Sequence, residues 1–276
     1  MDEAFRILDD GRVFFDYGPA SMVVTARRGD ENLSDLAASA FPFLRDSLSE
    51  IAGALPILRQ YPDGMDYSEL TGLPRVMAES VLATGEPTLT PMAAVAGTVA
   101  DAMADWLFAR GADLVALNHG GDVALRLGEG RSIRMGILPD LNGRVTEIVE
   151  IRAEDGIGGV CTSGLGGRSL TRGIAGGVTV FSRRCALADA CATHIANCSY
   201  IESPRVHTCL AGEIEPESDI ASLRIVTAVE PLLPEEKKRG LMQVYEETER
   251  QWKNGNLVRV YADIQGERLT FERSAQ

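Results

Sequence analysis

Three short segments of this chain combine residue types suited to holding a phosphate-bearing ligand. The first is Leu114-Val-Ala-Leu-Asn118-His119-Gly120-Gly121-Asp122-Val-Ala-Leu. An apolar strand runs into two glycines and out into a second apolar strand. Glycines let a backbone approach a ligand closely and present N–H groups to an anion. Asn118 and Asp122 supply hydrogen-bonding groups for a nucleotide. The same residues also make a good hairpin turn, so a plain turn and a ligand loop are both open readings.

The second segment is Cys161-Thr162-Ser163-Gly164-Leu165-Gly166-Gly167-Arg168-Ser169. Hydroxyls, glycines and one arginine at a strand end suit a phosphate cradle. A flexible glycine loop reads equally well from them. The segment has neither the Gly-Lys-Ser/Thr end of a P-loop nor a dinucleotide GxGxxG run. The third segment, Leu187-Ala-Asp189-Ala-Cys191-Ala-Thr193-His194, lies on an alanine-rich helix. Asp189 and Thr193 are four residues apart and share a face. A carboxylate and a hydroxyl can hold Mg²⁺, which leans on substrate phosphates for the rest of its shell. Asp189 reads equally as a first-turn acid complementing the helix dipole.

Other chemistries find less support. The three histidines, His119, His194 and His207, show no HExxH spacing, and each reads as an ordinary surface or core residue. No GxSxG elbow marks a serine hydrolase. The five cysteines include no CxxC pair, so they read as small buried thiols rather than a zinc or disulfide framework.

The elements that must position these segments follow from periodicity and punctuation. Residues 12–17 and 21–27 flank Gly18-Pro19 as a hairpin. A helix follows, with Asn32 as its N-cap and Pro42 as a kink or break. Residues 62–90 read as a loop-rich connection or lid, with a helical patch near 74–84. Residues 92–110 form a long helix. Strands near 113–118, 121–127, 131–138 and 145–152 are separated by glycine and by Asn142-Gly143, as in an antiparallel meander. A glycine tract over 156–177 precedes a strand at 178–182 and the helix 185–197. A strand at 223–229 follows the acidic loop 213–219. Pro234 opens a helix to about 254 with Leu241, Tyr245, Thr248 and Trp252 on one stripe. Gly255 ends it, and a hairpin turning at Gln265-Gly266 closes the chain. This order is not regular strand–helix alternation, so an α+β sheet with helices on one face is expected.

The totals set bounds. The 276 residues, 45% hydrophobic and 24% charged, allow a large core without staples. A net charge of −13 repels phosphate backbones and anionic membranes, which excludes nucleic acid and membrane surfaces as expected partners. The start Met1-Asp2-Glu3 lacks the basic and apolar regions of a signal peptide, so a cytoplasmic location is expected.

Taken in order, the three segments resemble the ApbE family, the FAD:protein FMN transferases. The resemblance covers roughly residues 90–200: the helix 92–110, Asn118 to Asp122, Thr162 to Gly164, the strand 178–182, and Ala188 to Thr193. It implies a tunnelling-fold-like α+β architecture of antiparallel or mixed sheets. It also implies FAD or FMN as ligand, lying across the sheet, with Mg²⁺ at the pyrophosphate. By position, Asp189 and Thr193 become metal ligands, with a backbone carbonyl near Ala94 to Ala96. Asp122 and Asp189 become the catalytic pair. Asn118, Gly120, Gly121, Thr162, Ser163, Gly164 and Arg168 become flavin-binding. The chain departs from the family in two places. Leu170-Thr-Arg-Gly-Ile-Ala-Gly-Gly177 stands where the transferases carry His-Ile-Ile-Asp-Pro, and the stretch Ala94 to Asp101 has no lysine. These departures resemble a cytoplasmic branch of the superfamily without an assigned reaction. A single unit over 1–276 is expected, with room for two fused halves, about 1–90 plus 200–276 around a 90–200 core. A protein partner or a homodimer is expected beside the flavin nucleotide.

Overall fold

The computed structural model describes residues 5–62, 66–138, 147–167 and 169–272. Strands β1 (Phe5–Ile7), β2 (Val13–Tyr17) and β3 (Ala20–Arg28) form a meander, and β2 and β3 turn at Gly18-Pro19. Strand β4 (Glu31–Asn32) pairs back onto β3. Helix α1 (Ser34–Ala38) stops, and α2 (Phe41–Leu58) starts afresh with Pro42 in its first turn, where a missing N–H has no consequence. Asn32, expected to cap this helix, is otherwise engaged. Arg27 Nε donates to its Oδ1 at 3.0 Å, and its Nδ2 donates to the Asp10 carbonyl at 3.1 Å. The expected lid over 62–90 is largely a core element. Helix α3 spans Gly72–Thr84 and buries Met77, Ala78 and Val81.

A 3-10 turn at Pro91–Ala94 leads into α4 (Val95–Phe108), followed by the hairpin of β5 (Leu114–His119) and β6 (Asp122–Leu127). Strands β7 (Ser132–Ile137) and β8 (Glu147–Arg152) come next; the turn expected at Asn142-Gly143 lies outside the described residues. The glycine tract contains a strand that sequence patterning did not separate, β9 (Gly159–Ser163). After β10 (Gly177–Ser182) and α5 (Cys185–Cys198) come β11 (Val206–Leu210), α6 (Ala211–Ile214) and β12 (Arg224–Val229). Helix α7 (Pro234–Lys253), β13 (Arg259–Ile264) and β14 (Glu267–Glu272) complete the described chain.

The main sheet has ten strands in the order β1-β2-β3-β5-β6-β9-β10-β13-β14, with β4 on β3, and its pairings are antiparallel. Helix α4 packs on β5 and β6, α5 on β9 and β10, and α7 on β13 and β14. Strand periodicity divides the side chains between two faces. Ala124, Cys161, Val180 and Val260 join the large core beneath the helices. Their neighbours Leu125, Val160, Phe181 and Tyr261 join a smaller core with Ile137, Val149 and Ile151. The expected meander across 113–152 is therefore corrected. Among the described residues, strands β7 and β8 leave the main sheet and pair only with each other. They do so because the second face of the sheet is apolar and must be covered. β11, absent from the sequence-based reading, pairs with β12 in a separate two-stranded sheet.

Candidate functional site

Asp122 owes its place to the turn before it. His119 and Asp122 close the β5–β6 ladder across a two-residue loop. Gly120 and Gly121 take φ of 71° and 115°, the positive range that such a loop demands. Asn118 Oδ1 accepts from Gly121 N at 3.0 Å and braces the turn. Asp122 therefore starts β6 with its carboxyl toward β9, where the Thr162 N–H and the Cys161 thiol donate to it.

Asp189 is brought to the same place by a close helix crossing. It lies in the second turn of α5, not the first, so complementing its own helix dipole is not its role. Its Oδ2 accepts from Gly97 N at 2.9 Å, and the Ala96 N–H also donates to it. These are first-turn amides of α4, the positive end of that helix. A side chain at position 97 would lie 2.4 Å from the Cys185 carbonyl oxygen and 2.8 Å from Asp189 Cβ. Only glycine lets α4 and α5 approach this far. His119 Nδ1 stands 3.3 Å from the Ala96 carbonyl, which ties the hairpin to the same helix start.

The pair is electrostatically uncomfortable. Both residues keep some exposure to solvent. Burial of the carboxyl nonetheless pushes Asp122 up to about 7, against the two hydrogen bonds that lower it. Asp189 is pushed well above the usual carboxylate range, by burial first and by the charge of Asp122 second, while its bonds from Gly97 and Ala96 oppose the rise. Cys161 and Cys185 lie beside the pair with their sulfurs 3.4 Å apart. Burial raises both thiols, Cys185 to about 12. They are thiols rather than thiolates at neutral pH.

A charge network that sequence reasoning missed fixes the frame around the pair. Asp101 of α4 is buried. Its Oδ2 accepts from Ala186 N at 3.0 Å and so caps α5, and its Oδ1 meets Arg126 of β6 at 2.7 Å. Arg126 also meets Asp105 at 2.5 Å, and Asp105 in turn holds Arg184 at 2.8 Å. One network thus locks α4, β6 and the start of α5 in register. Asp101 and Asp105 share a face at helical spacing, but their partner lies far along the chain.

The predicted site residues divide as follows. Asp122 and Asp189 come together, and Gly120 and Gly121 form the adjoining turn. Thr162 gives its N–H to Asp122, while its hydroxyl lies 2.9 Å from that of Thr179. Ser163 ends β9, and the buried Gly164 packs against the backbone of 175–177. Thr193 is half-buried, one turn beyond Asp189. Asn118 is exposed and occupied with the turn. Arg168 lies outside the described residues. Of the histidines, His119 adjoins the site. His207 pairs with Glu230 at 2.9 Å on the surface, and His194 belongs to a separate cluster.

The carboxyls of Asp122 and Asp189, near enough for the charge of one to raise the other, are hard oxygen donors. This donor set fits Mg²⁺.

An antiparallel sheet of this order, backed by helices and bearing a carboxylate pair between a Gly-Gly hairpin and two helices, defines an ApbE-like α+β protein. The family model described as AbpE bacteria matches residues 5–270, and the chain belongs to that family. A UPF0280 protein of Methanopyrus kandleri is 39% identical over 140 residues, covering 49% of this chain and 54% of its own length. This chain therefore spans about half of that relative. A UPF0280 protein of Methanococcoides burtonii is 29% identical over 180 residues, covering 65% of this chain and 74% of its own. A point mutant of the flavin transferase ApbE from Vibrio cholerae aligns over 93% of this chain and 94% of its own, at a TM-score of 0.50 and 11% identity. That likeness shows the fold. Among the described residues, no helix is long and apolar enough to cross a membrane.

Proposed function

We propose that this protein binds a flavin nucleotide, FAD, at the Asp122–Asp189 pair, and that it cleaves the FAD pyrophosphate with Mg²⁺. The observation that carries the reading is the carboxylate pair itself, held together at the N-terminus of α4 against its own repulsion. Two carboxylates alone repel a pyrophosphate; a divalent cation held by them would reverse the sign. Mg²⁺, when bound, supplies charge stabilisation on the pyrophosphate oxygens.

The protein's own groups have separate tasks. The Gly97 and Ala96 amides orient Asp189, and the Thr162 amide and Cys161 thiol orient Asp122. The Gly120-Gly121 turn offers backbone N–H groups beside them. In the proposed reaction a hydroxyl oxygen, from an acceptor or from water, bonds to the flavin-side phosphorus. The bond from that phosphorus to the bridging oxygen breaks, and AMP leaves with that oxygen. Asp122 takes the hydroxyl proton. A cytoplasmic setting and a protein acceptor or homodimer belong to the same proposal.

A second reading is flavin retention without cleavage. It is favoured by the sequence of residues 170–177 and by the lack of lysine in 94–101. Chelator-treated protein incubated with FAD, with and without Mg²⁺, separates the two. Mg²⁺-dependent AMP release that Asp189→Asn abolishes supports cleavage. Binding without AMP supports retention, and no binding rejects both.

A further inference from the structure

The helix that carries Asp189 presents a second set of ligand atoms elsewhere. His194 and Cys198 are four apart on α5 and share a face. Glu247 of α7 faces them. One ligand atom from each of these three residues lies within 4.8 Å of the other two. His194 is buried, and Cys198 and Glu247 are half-buried. His194 lies five residues beyond Asp189, which is about 7 Å along the axis and about 140° around it. The cluster is thus separate from the carboxylate pair.

The local contacts crowd around one carboxylate oxygen, Glu247 Oε1, which also accepts from Gln251 Nε2 at 2.7 Å. His194 Nε2 is 2.8 Å from Glu247 Oε1 and 3.3 Å from Arg250 Nη2. The carboxylate asks this nitrogen for a proton, while the guanidinium asks it for a lone pair. One nitrogen cannot answer both. A divalent metal between Nε2 and Oε1 answers both ligands at once. On the other side, His194 Nδ1 faces Glu86 Oε2 at 3.7 Å. A carboxylate behind the distal nitrogen is the usual outer support of a metal-bound imidazole. Arg250, about half-exposed, meets Glu247 at 2.7, 2.8 and 3.1 Å and donates to the Thr84 carbonyl at 3.0 Å; a metal would displace its contacts with Glu247 Oε1.

We infer that His194 Nε2, Cys198 Sγ and Glu247 form a zinc(II) site that clips α5 to α7. One imidazole, one thiolate and one carboxylate suit zinc among the common divalent ions, and three protein ligands leave a fourth position for water. Binding releases the Cys198 thiol proton, and any proton on Nε2, to solvent. Arg250 is the competing cation that holds the site in the metal-free state.

The test uses the full chain after chelation, with Co²⁺ as the optical probe. Wild type is expected to bind Co²⁺ with a thiolate-to-metal absorption band in the near ultraviolet and tetrahedral bands in the visible, both erased by one equivalent of zinc. Cys198→Ser is expected to lose the thiolate band, Asp189→Asn to keep it, and Arg250→Gln to raise the Co²⁺ affinity. Absence of the band in wild type overturns the inference. So does a band that survives in Cys198→Ser, because it would belong to another cysteine. Affinity that falls in Arg250→Gln also overturns it, because Arg250 would then be a support of the cluster rather than its competitor.

Discussion

The close crossing of α4 and α5 makes a sharp prediction for Gly97→Ala. Helix propensity alone favours alanine over glycine by about 1 kcal/mol. The structure opposes this. A Cβ at position 97 would lie 2.4 Å from a backbone oxygen of α5, where ordinary contact begins at 3.4 Å. Helix α5 must therefore retreat by about 1 Å, and that oxygen belongs to backbone rather than to a flexible side chain. Overpacking of this kind costs about 1–3 kcal/mol, so the net change is a loss. At about 2–4 °C per kcal/mol for a chain of this size, calorimetry should show a lower melting temperature. The same movement pulls Asp189 from the Gly97 amide, so Mg²⁺ affinity should fall as well. Gly53→Ala is the control. Gly53 sits inside α2 with open space at its Cβ position, so there alanine should stabilise. Equal gains in both variants, with Mg²⁺ affinity unchanged in Gly97→Ala, would refute the close-crossing argument.

Three further outcomes are expected. Asp122 titrates near 7 in the fold against 3.8 as the ordinary value, so the folded state binds more protons between those values. Metal-free stability therefore falls as pH rises through that window, while Mg²⁺ affinity, measured by calorimetry, rises through it and goes on rising as Asp189, also raised, ionises. Asp189→Asn removes the repulsion within the pair, so the metal-free variant should melt higher than wild type and lose the stabilisation that Mg²⁺ gives; a lower melting temperature in chelator would count against a strained pair. Asp101→Ala strands the charge of Arg126 and uncaps α5. Asp105 still holds Arg126, so chemical denaturation should show a loss of about 3 kcal/mol, and a loss well under 1 kcal/mol would reject the positioning network.

How far these features could be read beforehand depended on the range of the interactions. The Gly120-Gly121 turn, the break before Pro42 and the helix bearing Asp189 are local, and turn chemistry and periodicity exposed them. The separation of β7–β8 was not readable, because a strand that pairs in the main sheet and one that covers it share the same alternation. Helix α3 was legible as the patch near 74–84, but its place in the core was not, because the proline, glycine and acidic residues around it read as a lid. β11 was hidden by the mixed residues Val206-His-Thr-Cys-Leu. In the site, Asp122 and Asp189 were found through their local segments. Asp101 with Arg126, and His194 and Cys198 with Glu247, needed the fold itself, since no spacing rule links partners 25 or 53 residues apart. The role of His119 beside Ala96 was missed for the same reason.

The central claim is that the Asp122–Asp189 pair is a cation-dependent flavin site. Equilibrium binding of FAD to chelator-treated protein, followed by flavin fluorescence with and without Mg²⁺, tests it most directly. The account predicts binding to wild type that requires Mg²⁺ and is lost in both Asp122→Asn and Asp189→Asn. Binding that is indifferent to Mg²⁺ and to both substitutions would contradict it.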